Sequence, residues 1–191
     1  MSKTQRPSNA RKRIVETAEK LFYSEGIRAV GIDRVIAEAW VAKMTLYNHF
    51  PSKDDLVVEV LKYREEQFNL YLRQRMLEHQ SQGLNSLKAF FAALKDWFQC
   101  SDYPGCAFLN ALAELADSNP TATDFCSDHK RRFKEQLTEI IIESAGTQAA
   151  AVAPAICILV EGAIVTAVSE GNADAAGIAE QAAEILISQT K

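Results

Sequence analysis

Nowhere in the 191 residues do apolar and polar side chains keep up an alternation of period two; apolar residues recur instead at intervals of three, four and seven. A strand needs period two because successive side chains leave opposite faces, whereas an α-helix repeats about every 3.6 residues. The chain is therefore expected to be all-α. From Asn9 onward, Ile14, Ala18, Leu21 and Phe22 share one helical face, and Gly26 closes that helix. A second, short helix has Asp33 near its start and turns Ile32, Val35, Ile36 and Ala39 inward. A third runs from about Ala42 to Phe50 and ends there, because Pro51 pushes the residue before it out of the helical region.

Ser52 followed by Asp55 reads as an N-cap with an acid three positions on, opening a long helix through Leu56, Val60 and Leu61 to about Gln80, with Gly83 as its break. Further helices are expected near 84–99, 105–118, 120–145, 148–170 and 174–189. Tyr103-Pro104-Gly105 makes a turn between two of them, Asn119-Pro120 supplies a cap with proline at the first helical position, and Gly146 and Gly171 sit where C-terminal caps belong. The expected architecture is an N-terminal three-helix helix-turn-helix head, residues 1–53, on a larger helical C-terminal domain, residues 54–191, that binds a ligand and dimerises, about nine helices in all.

Charge supports that division. The formal net charge is −4, but residues 1–53 carry ten Lys or Arg against five acids, while residues 54–191 carry eleven against twenty. A basic segment on an acidic body suits a module that meets a polyanion. Arg6, Arg11, Lys12 and Arg13 would meet phosphates ahead of or on the first helix, and Lys3 and Arg6 belong to a solvated arm without DNA. The expected third helix is only nine residues long. With Leu46 and Phe50 turned to the core, it still offers Lys43, Thr45, Tyr47, Asn48 and His49, a polar and aromatic face suited to phosphates and base edges.

The run from Ile36 to Leu56 (IAEAWVAKMTLYNHFPSKDDL), with Ala18-Glu19-Lys20-Leu21-Phe22, Gly26 and Gly31-Ile32 before it, resembles the N-terminal motif of TetR/AcrR-type transcriptional regulators. Gly105-Cys106-Ala107-Phe108-Leu109-Asn110 to Glu114 is similar to a segment of some members. The resemblance implies that Ile32–Ala39 is the positioning helix and Ala42–His49 the recognition helix. It implies that Lys43, Met44 and Thr45 enter the major groove, that Tyr47 and His49 meet the DNA backbone, and that Lys53 meets a phosphate. One position departs from the pattern. Trp40 stands where the motif turn has glycine, so either the turn takes another geometry with the indole on the neighbouring helix, or the head is less stable than its relatives.

One short helix reads too few bases for a specific site, so a homodimer on a palindromic operator in double-stranded DNA is expected. The Ala-rich helices near 148–170 and 174–189 would form the dimer contact through Ile156, Val160, Ile164, Ala167, Ile178, Ala182 and Ile185. The resemblance puts the contact there too. A small apolar or amphipathic effector would sit among the middle helices against Trp97, Phe108 and Phe125, with Asn110, Glu114, His129 and Glu161 as polar groups. Those aromatic residues at helical spacing also fit an ordinary core. Cys100 and Cys106 flank a turn, which admits a redox reading beside the default of small apolar residues.

The apolar stretch Ala149 to Val168 approaches membrane-span length but holds Pro154 and Glu161, so a buried core or interface helix, and no membrane, is expected. The polar N-terminal residues resemble no signal peptide, and the four cysteines show no CxxC spacing, which together indicate the cytoplasm. Absence of a Gly-rich phosphate loop, with His49, His79 and His129 far apart, argues against an enzyme, a metal site or a cofactor. The competing reading is a helical dimer that binds a small molecule or a protein without touching DNA.

Overall fold

The computed structural model describes residues 7–101 and 103–190, so Lys3 and Arg6 of the expected arm lie outside the described residues. Nine α-helices, and no strand, occur among the described residues: α1 (Pro7–Glu25), α2 (Ile32–Glu38), α3 (Lys43–His49), α4 (Lys53–Ser81), α5 (Ser86–Phe98), α6 (Ala107–Leu115), α7 (Pro120–Ala145), α8 (Ala153–Glu170) and α9 (Ala175–Ser188). Residues cluster into two compact units. The first runs to Gln67 and takes in Ala107–Ser127; the second comprises Phe68–Cys106 and the chain from Asp128 onward.

Helix ends follow the local chemistry. Gly26 ends α1 with φ +92°, a left-handed conformation that glycine adopts without a Cβ penalty, and its N–H donates to the Phe22 carbonyl at 3.0 Å. Ser52 and Asp55 form a reciprocal capping box at the start of α4: the Asp55 N–H donates to Ser52 Oγ at 3.1 Å and the Ser52 N–H to the Asp55 carboxylate at 3.0 Å. Asn85 caps α5 by accepting from the Lys88 N–H at 2.9 Å. The helix expected over 148–170 begins instead as a 3₁₀ turn, Thr147–Val152, before α8. Proline lacks an N–H and its ring collides with the carbonyl four residues back, so Pro154 is accommodated in the first turn of α8 and not inside a longer α-helix.

In the first unit, α1 to α3 close on a small core of Ile14, Ala18, Leu21, Val30, Val35, Leu46 and Phe50. The N-terminal half of α4 is fastened to α1 by Arg64, which pairs with Glu19 at 2.9 Å and lies 3.9 Å above the Tyr23 ring, and by the pair of Arg11 with Glu59 at 2.7 Å. Arg13 donates to the Ala39 carbonyl at 3.4 Å. The N-terminal cations therefore divide their work: Arg11 and Arg13 hold α1 to its neighbours, and Lys12 stays at the surface.

The second unit is built around α5, α8 and α9, with Phe90, Phe91, Leu94, Leu137, Ile141, Ile156 and Val160 at its centre. Asp96 of α5 accepts from His79 Nε2 at 2.7 Å and from Arg75 Nε at 2.9 Å on α4. Burial pushes the Asp96 carboxyl up, but the His79 and Arg75 hydrogen bonds outweigh it and hold the group below its ordinary value. Thr147–Glu170 is long and apolar enough by composition to cross a bilayer. Here its α8 portion packs on α9 and α5, and Glu161 within it is paired with Lys130 of α7 at 2.9 Å.

Candidate nucleic-acid interface

The segment from Ile36 to Lys43 sets the direction of α3. At the end of α2 the Val41 N–H donates to the Ile36 carbonyl and the Trp40 N–H to the Ala37 carbonyl, both at 3.3 Å. This six-to-one and five-to-two pair is the Schellman cap, whose penultimate residue must be left-handed. That residue is Trp40, the one non-glycine with positive φ among the described residues, at +54°. Of the two alternatives for this turn, the first fails: the glycine-type geometry is kept, and the indole is 88% exposed rather than laid on a neighbouring helix. A Cβ in this conformation costs about 1–2 kcal/mol. Trp40→Asn, which keeps a side chain that tolerates left-handed backbone, should therefore raise stability by up to about 1 kcal/mol. The shift of the thermal midpoint checks it, and a lower midpoint would mean that the indole stabilises the free protein.

Seven residues are too few for a helix that stands alone, since isolated helices below roughly 12–15 residues are marginal in water. α3 persists because Leu46, fully buried, and Phe50 just beyond its end anchor it to α1 and α2. Leu46 is the sole buried side chain of α3. Lys43, Met44, Tyr47 and Asn48 are exposed, with Met44 at 73%, and Thr45 and His49 are half-buried. Four of the expected DNA-facing residues are thus open to solvent and two more are partly so.

Lys43 pairs across the turn with Asp33 of α2 at 3.1 Å, a contact that raises its pKa through the hydrogen bond and the nearby charge. Exposed pairs of this kind contribute little, so a phosphate or a base edge can displace Asp33. Lys53 is placed differently from expectation. Its ammonium, expected at a phosphate, turns inward and donates to the Ile27 carbonyl at 2.6 Å, 5.8 Å from the centre of the Phe22 ring. Burial lowers its pKa against the opposing pull of Glu114 and Asp54. The carbonyls left open by the α1–α2 loop need a donor, and Lys53 supplies one.

Glu114, expected at an effector site, belongs to this same loop. From α6 its carboxylate accepts from the Arg28 N–H at 2.8 Å, and it fills the space beside Gly26 that a Cβ would enter at 3.3 Å. Sequence reasoning missed this support because only the fold brings residue 114 to residue 28. The other expected effector residues are divided between the two units. Trp97 and His129 are buried in the second unit and linked through Phe68 and Phe133: the Trp97 to Phe68, Phe68 to Phe133 and Phe133 to His129 ring centres lie 4.9, 6.4 and 6.5 Å apart. Glu161 meets Lys130, which also approaches Cys106 Sγ at 3.4 Å. Phe108, Asn110 and Phe125 lie in the first unit, buried, exposed and half-buried respectively. A surface groove of about 570 Å³ in the second unit, between α4 and α7, is lined by Leu72, Arg73, Met76, Ile140 and their neighbours, none of them in the expected set. All four cysteines are free thiols.

The dimer expectation needs a correction on α8. Ile156, Val160, Ile164 and Ala167 are consumed by the protomer's own core, because α8 turns that face to α9 and α5. What α8 leaves outside is Ile158, 73% exposed, with Val165 and Val168; α9 leaves Ile178 and Ile185, at 62% and 64%, with Ala182 half-buried between them.

A basic three-helix head that presents one short exposed helix after a tight turn, carried by a helical body, defines a helix-turn-helix DNA-binding protein. Residues 14–60 match the tetR family of bacterial regulatory proteins, and residues 84–182 match the C-terminal domain of LmrA/YxaF-like transcriptional regulators. The chain belongs to the TetR family and is a DNA-binding transcriptional regulator. Among its relatives, the HTH-type transcriptional regulator LmrA of Bacillus subtilis is 25% identical over 174 residues, 86% of this chain and 89% of its own length. YjdC of Escherichia coli is 23% identical, covering 81% of each chain. The crystal structure of SCO4454, a TetR-family transcriptional regulator from Streptomyces coelicolor, superposes with a TM-score of 0.80 over 96% of both chains at 28% identity.

Proposed function

We propose that the protein is a cytoplasmic homodimeric repressor that holds a palindromic operator and releases it when a small apolar or amphipathic molecule binds its helical body. The observation that carries this reading is the outward surface of α3, where Leu46 alone is spent on the core. Residues 1–53 act as the head and residues 54–191 as the body. Lys43, Met44 and Thr45 read base edges in the major groove, while Tyr47, Asn48 and His49 meet the sugar-phosphate backbone. Lys53 steadies the loop behind them.

Ile158, Val165, Ile178, Ala182 and Ile185 pair with the same residues of a second copy, since large exposed apolar side chains at helical spacing mark an interface. Trp97, His129 and Glu161 form the part of the expected effector set that the second unit holds, and a ligand there would act only through unequal affinity for DNA-competent and DNA-incompetent dimers.

The test is binding to a duplex that this protein selects from a randomised library, followed by fluorescence anisotropy across a range of salt. Affinity should fall steeply with salt, and Lys43→Ala should weaken binding to the selected duplex more than to a random one. Binding indifferent both to salt and to Lys43→Ala would favour the helical module that does not touch DNA.

A further inference from the structure

Trp40 combines two unfavourable features that nothing inside the protomer offsets. Its backbone is left-handed, and its indole stands 88% exposed. A glycine would make the same Schellman cap without either feature. Strained residues that persist tend to serve a site, and a large exposed apolar group calls for a partner.

The place of the indole says which partner. It sits three residues ahead of Lys43, at the entry to α3, and Met44 and Tyr47 are the exposed large apolar side chains of that helix. Together they form an apolar margin on a head whose residues 1–53 carry ten cations against five acids. Polyanionic duplex DNA matches that charge, and the margin is continuous with the surface assigned to DNA. An indole also suits the edge of a groove better than its floor. Its flat face can cover deoxyribose, and its Nε1–H can reach a phosphate oxygen.

We propose that Trp40 is a further DNA-contacting residue that lies against the sugar-phosphate edge of the groove α3 enters. This rests on the DNA-binding reading above. The contact carries no charge and is independent of base sequence, so it adds affinity without adding to the salt slope.

The experiment compares the wild type with Trp40→Asn on the duplex selected by the wild type and on a random duplex. With one indole lost from each head of the dimer, both complexes should weaken by roughly tenfold or more, with the salt slope unchanged. Circular dichroism confirms that the variant is folded. In parallel, acrylamide quenching follows the wild-type tryptophan emission, with Trp40→Asn giving the contribution of buried Trp97 to subtract. Saturating duplex should shield the quenchable part. Unchanged affinity in Trp40→Asn, or an indole just as accessible in the complex, overturns the proposal while the DNA-binding reading stands. Shielding that grows with protein concentration in the absence of duplex also overturns it, since a second copy would then cover the residue. A wild type that binds neither duplex at any salt removes both readings.

Discussion

Leu46→Ala is expected to cost about 2–5 kcal/mol of folding stability, the range for truncating a fully buried leucine. Leu46 is 0% exposed and is the only side chain through which the seven residues of α3 enter the core. Its loss leaves a cavity between helices too small to close around it, and α3 has no length to sustain itself. DNA affinity should fall with it, because Lys43, Met44 and Thr45 no longer share a fixed surface. Chemical denaturation followed by circular dichroism gives the stability loss, and anisotropy on the selected duplex gives the affinity. A variant that loses less than about 1 kcal/mol, below the usual cost of such a truncation, would show that Phe50 and the turn suffice to hold α3.

Replacing both Ile178 and Ile185 by Asp should convert the dimer to a monomer and lower affinity for the palindromic duplex by about a hundredfold or more, because the second head then loses the effective concentration that linkage to the first provides. Both side chains are more than half exposed, so the protomer has little packing to lose and should stay folded. On the two-fold interface each charge would face apolar surface and its own symmetry mate, and four buried carboxylates without partners are far outside what such an interface tolerates. Sedimentation velocity reads the mass and circular dichroism the fold. A variant that remains a dimer places the interface elsewhere than on α9.

Much of the architecture follows from local chemistry. Gly26, the Ser52/Asp55 box, Asn85 and Pro120 mark helix ends because each acts on backbone groups within four residues of itself. The exposed surface of α3 is legible for a similar reason: with Leu46 and Phe50 inward, a helix of that length has one direction left for Lys43, Tyr47 and Asn48. Which side of α8 the protomer leaves exposed was not legible. That helix is apolar on both sides, so periodicity could not distinguish Ile156 and Val160, which face α9 and α5, from Ile158 and Val165, which face solvent. The contact of Glu114 was not legible either, since it looks like a polar group set in an apolar helix until the fold brings the Arg28 N–H to it.

The sequence by itself determined the helical class, most of the helix ends, the basic head and the outward side of α3, all products of interactions between residues near one another in the chain. Tertiary structure alone decided that Lys53 turns to the Ile27 carbonyl, that Glu114 braces the loop before α2, and that Trp40 keeps a glycine's conformation with its ring in solvent. The partners of Lys53 and Glu114 lie 26 and 86 residues away, and for Trp40 the choice between packing and exposure depended on whether the turn could rearrange. Such outcomes are set by which groups the packed helices bring within reach, a property that no short window of sequence carries.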